Sequence, residues 1–346
     1  MTASSKTIFE QGRTARRQGD HAEAIRCFRQ VIAQQPGFIS AYNNLANALQ
    51  QSGAVDEARA VYQKALAIAP EHAVLHANLA ALEQLEGRLD AAIAHGHRAL
   101  VLRPDLPLAH HNLAKAYAEH GEFIFAEHAY RNTLNLAPED AALHLELGQL
   151  YQRYGEIAKA LDCYRASVRL KPTATAYNAL GAALQEAGTT ELAERCYQRA
   201  RRLDPEFSQP WYNLAQLAER HNLNQALAYY QQALALMPDD VKLHCHIAAI
   251  KNLQADWAGY SERMAELTAR LSAQAEHAEA APLPLMSLLA MPIPPALLLR
   301  LARQHAAYFT RLARALPPCP HTPAPPAPRL NIGYVSPSLK ILETER

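Results

Sequence analysis

Apolar residues recur every three or four positions along most of this chain. ISAYNNLANALQQ, residues 39–51, carries them at Ile39, Tyr42, Leu45, Ala46 and Leu49. VDEARAVYQKALAI, residues 55–68, carries them at Val55, Ala58, Tyr62 and Ala65. Such spacing gathers apolar side chains on one face of a helix. Only Ser52, Gly53 and Ala54 separate the two stretches, so the pattern predicts two helices folded back on each other.

The pair then repeats. Prolines stand at Pro36, Pro70, Pro104, Pro138, Pro172, Pro205 and Pro238, with spacings of 34, 34, 34, 34, 33 and 33 residues. Seventeen residues before most of them is a glycine (Gly19, Gly53, Gly87, Gly121, Gly155 and Gly188), suited to a turn that needs positive φ. Twelve before each is alanine: Ala24, Ala58, Ala92, Ala126, Ala160, Ala193 and Ala226. A residue that small lets two helices approach closely. Eight before is a ring (Phe28, Tyr62, Tyr130, Tyr164, Tyr197 and Tyr230), except at Gly96, which is expected to leave the third unit locally loose. The proline cannot extend a helix and marks its end.

This period and these residue types resemble the tetratricopeptide-repeat family over residues 5–240, seven repeats in all. The resemblance implies an all-α fold, a right-handed superhelix of stacked helix pairs whose stability is nearly additive along the array. Two one-residue losses, before Tyr177 and around His221 and Asn222, fall in predicted loops. Residues 241–281 read as a degenerate eighth helix pair that caps the array. His244 and Ile247 hold the expected places there, but the glycine and closing proline are missing.

Composition adds little and excludes some things. The chain has 346 residues, is 49% hydrophobic and has a formal charge of +1, so no global field draws in nucleic acid or an anionic membrane. Cys27, Cys163, Cys196, Cys245 and Cys319 are scattered, without a C-x-x-C, which fits reduced thiols in a cytoplasm. The first twenty residues contain no apolar signal core, which also points to a cytoplasmic protein. Residues 280–299 are uncharged and long enough to span a bilayer, but five prolines interrupt them, so they are expected to lie on protein.

The first helix of each repeat is expected to line the inside of the superhelix. Six residues into four repeats stands asparagine: Asn44, Asn78, Asn112 and Asn213. Glu146 and Ala179 interrupt the row. An amide donates and accepts, so a regular row can clasp the main chain of an extended peptide without reading its side chains. Alternatively, these amides bond within the groove. Of sixteen histidines, His76, His110, His144 and His244 take the place that Tyr42, Tyr177 and Trp211 hold elsewhere and read as packing variants of a ring site. His95 and His97 are two apart and point to different sides of a helix, and His72 belongs to a loop. No metal site, cofactor site, catalytic nucleophile or phosphate loop is recognised.

Beyond the array, residues 282–328 read as an apolar linker, an amphipathic helix with Arg300, Arg303, Arg311 and Arg314 outward, and a proline-rich tract. Residues 329–346 open with RLNIGYVS, one buried strand. The YNNLA-type repeats, the D-W-x-x-Y element at Asp256, Trp257 and Tyr260, the arginine-rich helix and RLNIGYVS together resemble bacterial members of the O-linked N-acetylglucosamine transferase family. In that family the strand begins a nucleotide-sugar-binding lobe, sugar passes to Ser or Thr of a protein, and the repeats select that protein. The resemblance implies that this chain is the protein-recruiting part of such a transferase, with only a stub of the first strand. It is then expected to be inactive alone, and a nucleotide sugar would bind only an intact relative. The pattern's acidic residue, aromatic residue and histidine are replaced here by Ser338, Leu339 and Leu342. The competing reading is a free-standing scaffold that gathers partner proteins or extended peptides in its groove. A pilus-assembly or secretion adaptor is a third.

Overall fold

The computed structural model describes residues 3–276, 283–284, 288–289 and 291–315; the RLNIGYVS segment and the proline-rich tract lie outside them. Seventeen helices and no strand occur among the described residues. Repeat 1 pairs α1 (Ala3–Arg17) with α2 (His21–Gln34), repeat 2 α3 (Ile39–Gln51) with α4 (Val55–Ile68), and repeat 3 α5 (Ala73–Leu85) with α6 (Leu89–Leu102). Repeat 4 pairs α7 (Pro107–His120) with α8 (Phe123–Leu136), repeat 5 α9 (Ala141–Arg153) with α10 (Ile157–Leu170), and repeat 6 α11 (Ala174–Glu186) with α12 (Thr190–Leu203). Repeat 7 joins α13 (Ser208–Ala218) to α14 (Leu223–Leu236), and an eighth pair joins α15 (Val241–Leu253) to α16 (Tyr260–Gln274). A last helix, α17, runs Pro295–Ala315.

Each helix packs on the next, and first helices also touch first helices of neighbouring repeats: α1 on α3, α5 on α7, α9 on α11, α11 on α13. The row whose members meet is the inner row of a curved stack, so the first helices line the concave side.

The turn inside each repeat shows why glycine recurs. Gly19, Gly53, Gly87, Gly121, Gly155 and Gly188 have φ between 71° and 89°. The residue after each donates its N–H to a carbonyl five back, at 2.9 Å in all six turns (Ala54 N to Leu49 O, for example). This is the Schellman closure, which settles a carbonyl the helix end leaves over. Repeat 7 has no glycine here. Its first helix is two to four residues shorter than those of the other repeats, and Asn222 donates to Ala218 O at 2.7 Å instead. In the eighth pair Ala255 takes the glycine's conformation at φ 53° and the same closure forms, Asp256 N to Lys251 O at 2.9 Å.

Within every repeat but the third, a ring from the second helix fills the space beside a small residue of the first. Phe28, Tyr62, Tyr164, Tyr197 and Tyr230 are almost fully buried. A Cβ on Gly148 would lie 2.6 Å from Tyr164 Cε1, and one on Gly181 2.6 Å from Tyr197 Cε1, so those glycines admit the ring. Gly96 corrects the expectation of a loose third repeat. A Cβ there would meet Leu113 Cγ at 2.6 Å: the next repeat sends a leucine into the space the missing ring leaves.

The histidines at the ring site of the first helix are placed by a hydrogen bond as well as by packing. Nε2 of His76, His110, His144 and His244 lies 2.8–3.1 Å from the carbonyl of the closing proline six residues earlier (Pro70, Pro104, Pro138 and Pro238). Trp211 Nε1 donates to Pro205 O at 3.0 Å in the same way. At these five of the ring sites a ring N–H reaches the carbonyl, and imidazole and indole both supply it; Tyr42 and Tyr177 keep the packing without that bond.

At the C-terminal end the apolar linker is part of a core. Leu283, Leu288, Met291, Ile293, Leu297 and Leu301 are buried against Cys245, Ala248, Met264, Leu267 and Leu271 of α15 and α16. Arg300 and Arg303 of α17 are exposed, as expected from its amphipathic pattern. The side chains of Arg311 and Arg314 lie outside the described residues.

Candidate peptide-binding face

The four predicted asparagines sit on α3, α5, α7 and α13, all on the inner row. They do not form a uniform row of free amides. Asn78 Nδ2 donates to Asn43 Oδ1 of the preceding repeat at 2.7 Å, and Asn213 Nδ2 to Asn178 Oδ1 at 2.9 Å. Asn112 Nδ2 donates to the backbone carbonyl of Ala77 at 2.7 Å. Each bond reaches back 35 residues, one repeat plus one position, and staples neighbouring first helices on the concave face. Asn44 faces Phe9 at the corresponding place and turns to its own helix, donating to Ser40 O at 2.8 Å. Asn44 and Asn78 are half-buried; Asn112 and Asn213 are buried.

The interruptions of the row follow the same geometry. Glu146 Oε2 lies 2.6 Å from His111 Nε2, again 35 residues back, and accepts Tyr130 Oη at 3.2 Å. Ala179 faces Leu145, an apolar pair with no staple. At the eighth pair, His246 Nε2 lies 3.3 Å from Tyr212 Oη, while its Nδ1 lies 3.1 Å from Glu219 Oε1 and its ring stacks on Tyr230. Partial burial works against the charge on Glu146, but the hydrogen bond and charge of His111, then Lys115 and Tyr130, outweigh it and hold the carboxyl below its usual range. Glu219 is held down likewise: burial raises its pKa, and His246 and Tyr230 more than offset it. Burial first, and then Glu219, push the Tyr230 phenol far up, so it serves as a donor and not as an acid.

The sequence offered a signal for these staples. The position just before the asparagine row is itself polar at Asn43, His111 and Asn178, which precede Asn44, Asn112 and Ala179. A period of 34 plus one helical position is the offset that joins them. What remains for a ligand on Asn44, Asn78 and Asn112 is the amide oxygen, which has no protein partner among the described residues, and one N–H of each amide. Around them the inner helices add further amides, among them Asn47, Gln50, Gln149, Gln152 and Gln185. No group of three or more metal-ligating side chains is present among the described residues, and none of their helices is long and apolar enough to cross a membrane. Cys27, Cys163, Cys196 and Cys245 are free thiols.

A family model of the tetratricopeptide repeat matches residues 9–73, 111–175 and 178–241, and a second one residues 83–121. The chain belongs to the tetratricopeptide-repeat family. Its fold is similar to solved repeat structures at low identity. A type IV pilus biogenesis factor, PilW, has a TM-score of 0.57 at 18% identity, covering 61% of this chain and 98% of PilW. A tetratricopeptide-repeat protein from Parabacteroides merdae has 0.55 at 14%, covering 70% and 97%. The Cut9–Hcn1 hetero-tetramer of the APC/C has 0.53 at 18%, covering 87% of this chain, which spans about half (54%) of the matched chain's length. No curated protein matches. At these identities the likeness is one of fold. The tetratricopeptide assignment stands on its own period and turns, and it carries with it the role of a protein-binding scaffold.

Proposed function

We propose that the concave face of this array holds an extended stretch of a partner protein, chiefly through its main chain. The observation that carries this reading is the amide lining of the inner helices. Asn44 and Asn78 offer an amide oxygen and an N–H each, and a peptide main chain presents the complementary donors and acceptors at every residue. A surface of that kind takes many sequences with modest selectivity.

Fluorescence anisotropy with labelled, uncharged, extended peptides tests it. Asn44→Ala and Asn78→Ala together are expected to weaken binding about tenfold with helicity unchanged. Undiminished binding would rule out the amide clasp. Asn78→Ala also removes the bond to Asn43, so stability is measured beside binding; Asn112→Ala and Asn213→Ala, whose side chains are buried, are expected to lower stability more.

A finer reading is that the array recruits protein substrates for an O-glycosyltransferase resembling the O-linked N-acetylglucosamine transferases. It is supported by the D-W-x-x-Y element, which here forms the turn of the eighth pair: Asp256 accepts from Ala258 N at 3.2 Å, and the Trp257 and Tyr260 rings meet edge-on at 5.2 Å. A plain scaffold has no need of that element or of RLNIGYVS. Calorimetric titration with a UDP-sugar separates recruiting from transfer. No binding is expected of a recruiting array, whereas micromolar binding would place a donor site within these residues.

A further inference from the structure

Repeat 3 departs from its neighbours where they keep a ring. With Gly96 in place of that ring, the large apolar core is divided. One cluster runs from Phe9 to Leu82 and another from Leu113 to Leu217. The buried residues of the cluster between them are Ala73, Ala77, Ala99, Leu106 and Ala109, with Val74, Leu100 and Leu102 partly buried beside them. Four of the five buried ones are alanine, so the apolar area buried there is small.

A polar contact joins the two helices of this repeat. His76 Nδ1 on α5 and His95 Nδ1 on α6 are 3.1 Å apart. Chemistry fixes the protons. The Pro70 carbonyl can only accept, so His76 Nε2, 3.0 Å away, carries its hydrogen. A neutral His76 therefore has a bare Nδ1, and His95 Nδ1–H donates to it. The pair tolerates one extra proton, since one bare Nδ1 suffices. With both rings charged, two N–H groups point at each other across 3.1 Å.

We propose that repeat 3 is the acid-sensitive joint of the array, closed by the His76–His95 hydrogen bond and opened when both rings are protonated. Burial, and then the neighbouring His76, hold the His95 imidazole below its usual range. Its folded pKa thus lies below the unfolded value of about 6.5, so this stabilisation is complete above that pH and is lost as pH falls through the folded value. Several titratable groups on the packed helices have partners of their own, Arg98 of α6 and Lys115 of α7 being charged neighbours without an ion pair among the described residues. On α7, His110 bonds Pro104 O and His111 bonds Glu146. Within α5 and at its start, Glu83 pairs with Arg59 and Arg88, and His72 accepts from Leu75 N. On α6 itself, His97 bonds Tyr117.

Hydrogen exchange of the full chain, measured at pH 7.5 and 5.5 and corrected for intrinsic rates, tests this. Amides of α5 and α6 are expected to lose protection by roughly threefold to tenfold relative to α3 and α9. His95→Gln removes the second charge and is expected to abolish the difference. His76→Trp removes the pair but keeps a ring N–H for Pro70, as Trp211 does for Pro205, and decides the matter if the glutamine variant does not fold. No selective loss at pH 5.5, or a selective loss that survives in a folded variant, would overturn the proposal.

Discussion

Ala255 is the only residue other than glycine with positive φ among the described residues, and it sits where six other repeats keep glycine. An L-residue with a Cβ costs about 1 kcal/mol or more in that conformation. Ala255→Gly is therefore expected to stabilise the eighth pair by about 1 kcal/mol, read as a raised urea midpoint with an unchanged slope. Titration acts at the same scale. Glu146 and Glu219 have folded pKa values below their ordinary range, so their contribution is complete above the unfolded value of about 4.3 and disappears as pH falls through the lower folded values. Unfolding midpoints at pH 5 and pH 3 are expected to differ in the wild type, and the difference is expected to shrink in Glu146→Gln. The residue scale is also where the sequence was least legible. Gly96 reads as a hole until Leu113, seventeen residues on, is seen to fill it. The asparagine row reads as a ligand-facing series, yet a side chain's choice between ligand and neighbour depends on what stands 35 residues earlier. Asn43 and Asn178 offer a side-chain acceptor there, Ala77 only its carbonyl, and Phe9 no polar side chain.

At the scale of elements, sequence and structure agree closely, and the reason is local chemistry. Glycine turns, closing prolines and the 3.6-residue apolar stripe each act within a few residues, so they are visible without the fold. One length change fell where predicted, in the loop between α10 and α11; the other is taken up by a shorter α13, and the turn that follows it is four residues long, not shortened. The histidine-for-tryptophan exchange was readable as a ring site, but not its bond to the proline carbonyl, because a hydrogen bond leaves no periodic trace. That bond yields a test. His144→Trp is expected to be nearly neutral, since Trp211 makes the same contact, whereas His144→Ala is expected to cost about 0.5–1 kcal/mol, because the exposed Pro138 carbonyl exchanges its ring donor for water.

Across the whole molecule, the array ends in a core assembled from the eighth pair, the apolar linker and α17. The described apolar residues of the linker cover α15 and α16. Removing residues 283–315 is expected to expose Met264, Leu267 and Leu271, unfold the eighth pair and leave repeats 1–6 largely intact. Circular dichroism would then show a loss of helix limited to the C-terminal elements, together with new binding of a hydrophobic dye. Complete unfolding would contradict the nearest-neighbour picture of stability. The right-handed sense of the superhelix and the division of the C-terminal third were expectations from family resemblance, because no short-range residue pattern encodes either.

The concave staples also set rules for rearranging the chain. Asn112 takes a backbone carbonyl, which every predecessor can supply, so repeat 4 can follow any unit. Repeats 3 and 7 require an asparagine, and repeat 5 a histidine, at one defined site of the unit before them. Shuffled or lengthened versions of this protein should therefore accept extra copies of repeat 4 after any unit, except directly before repeat 3 or 7, while the others keep a fixed syntax.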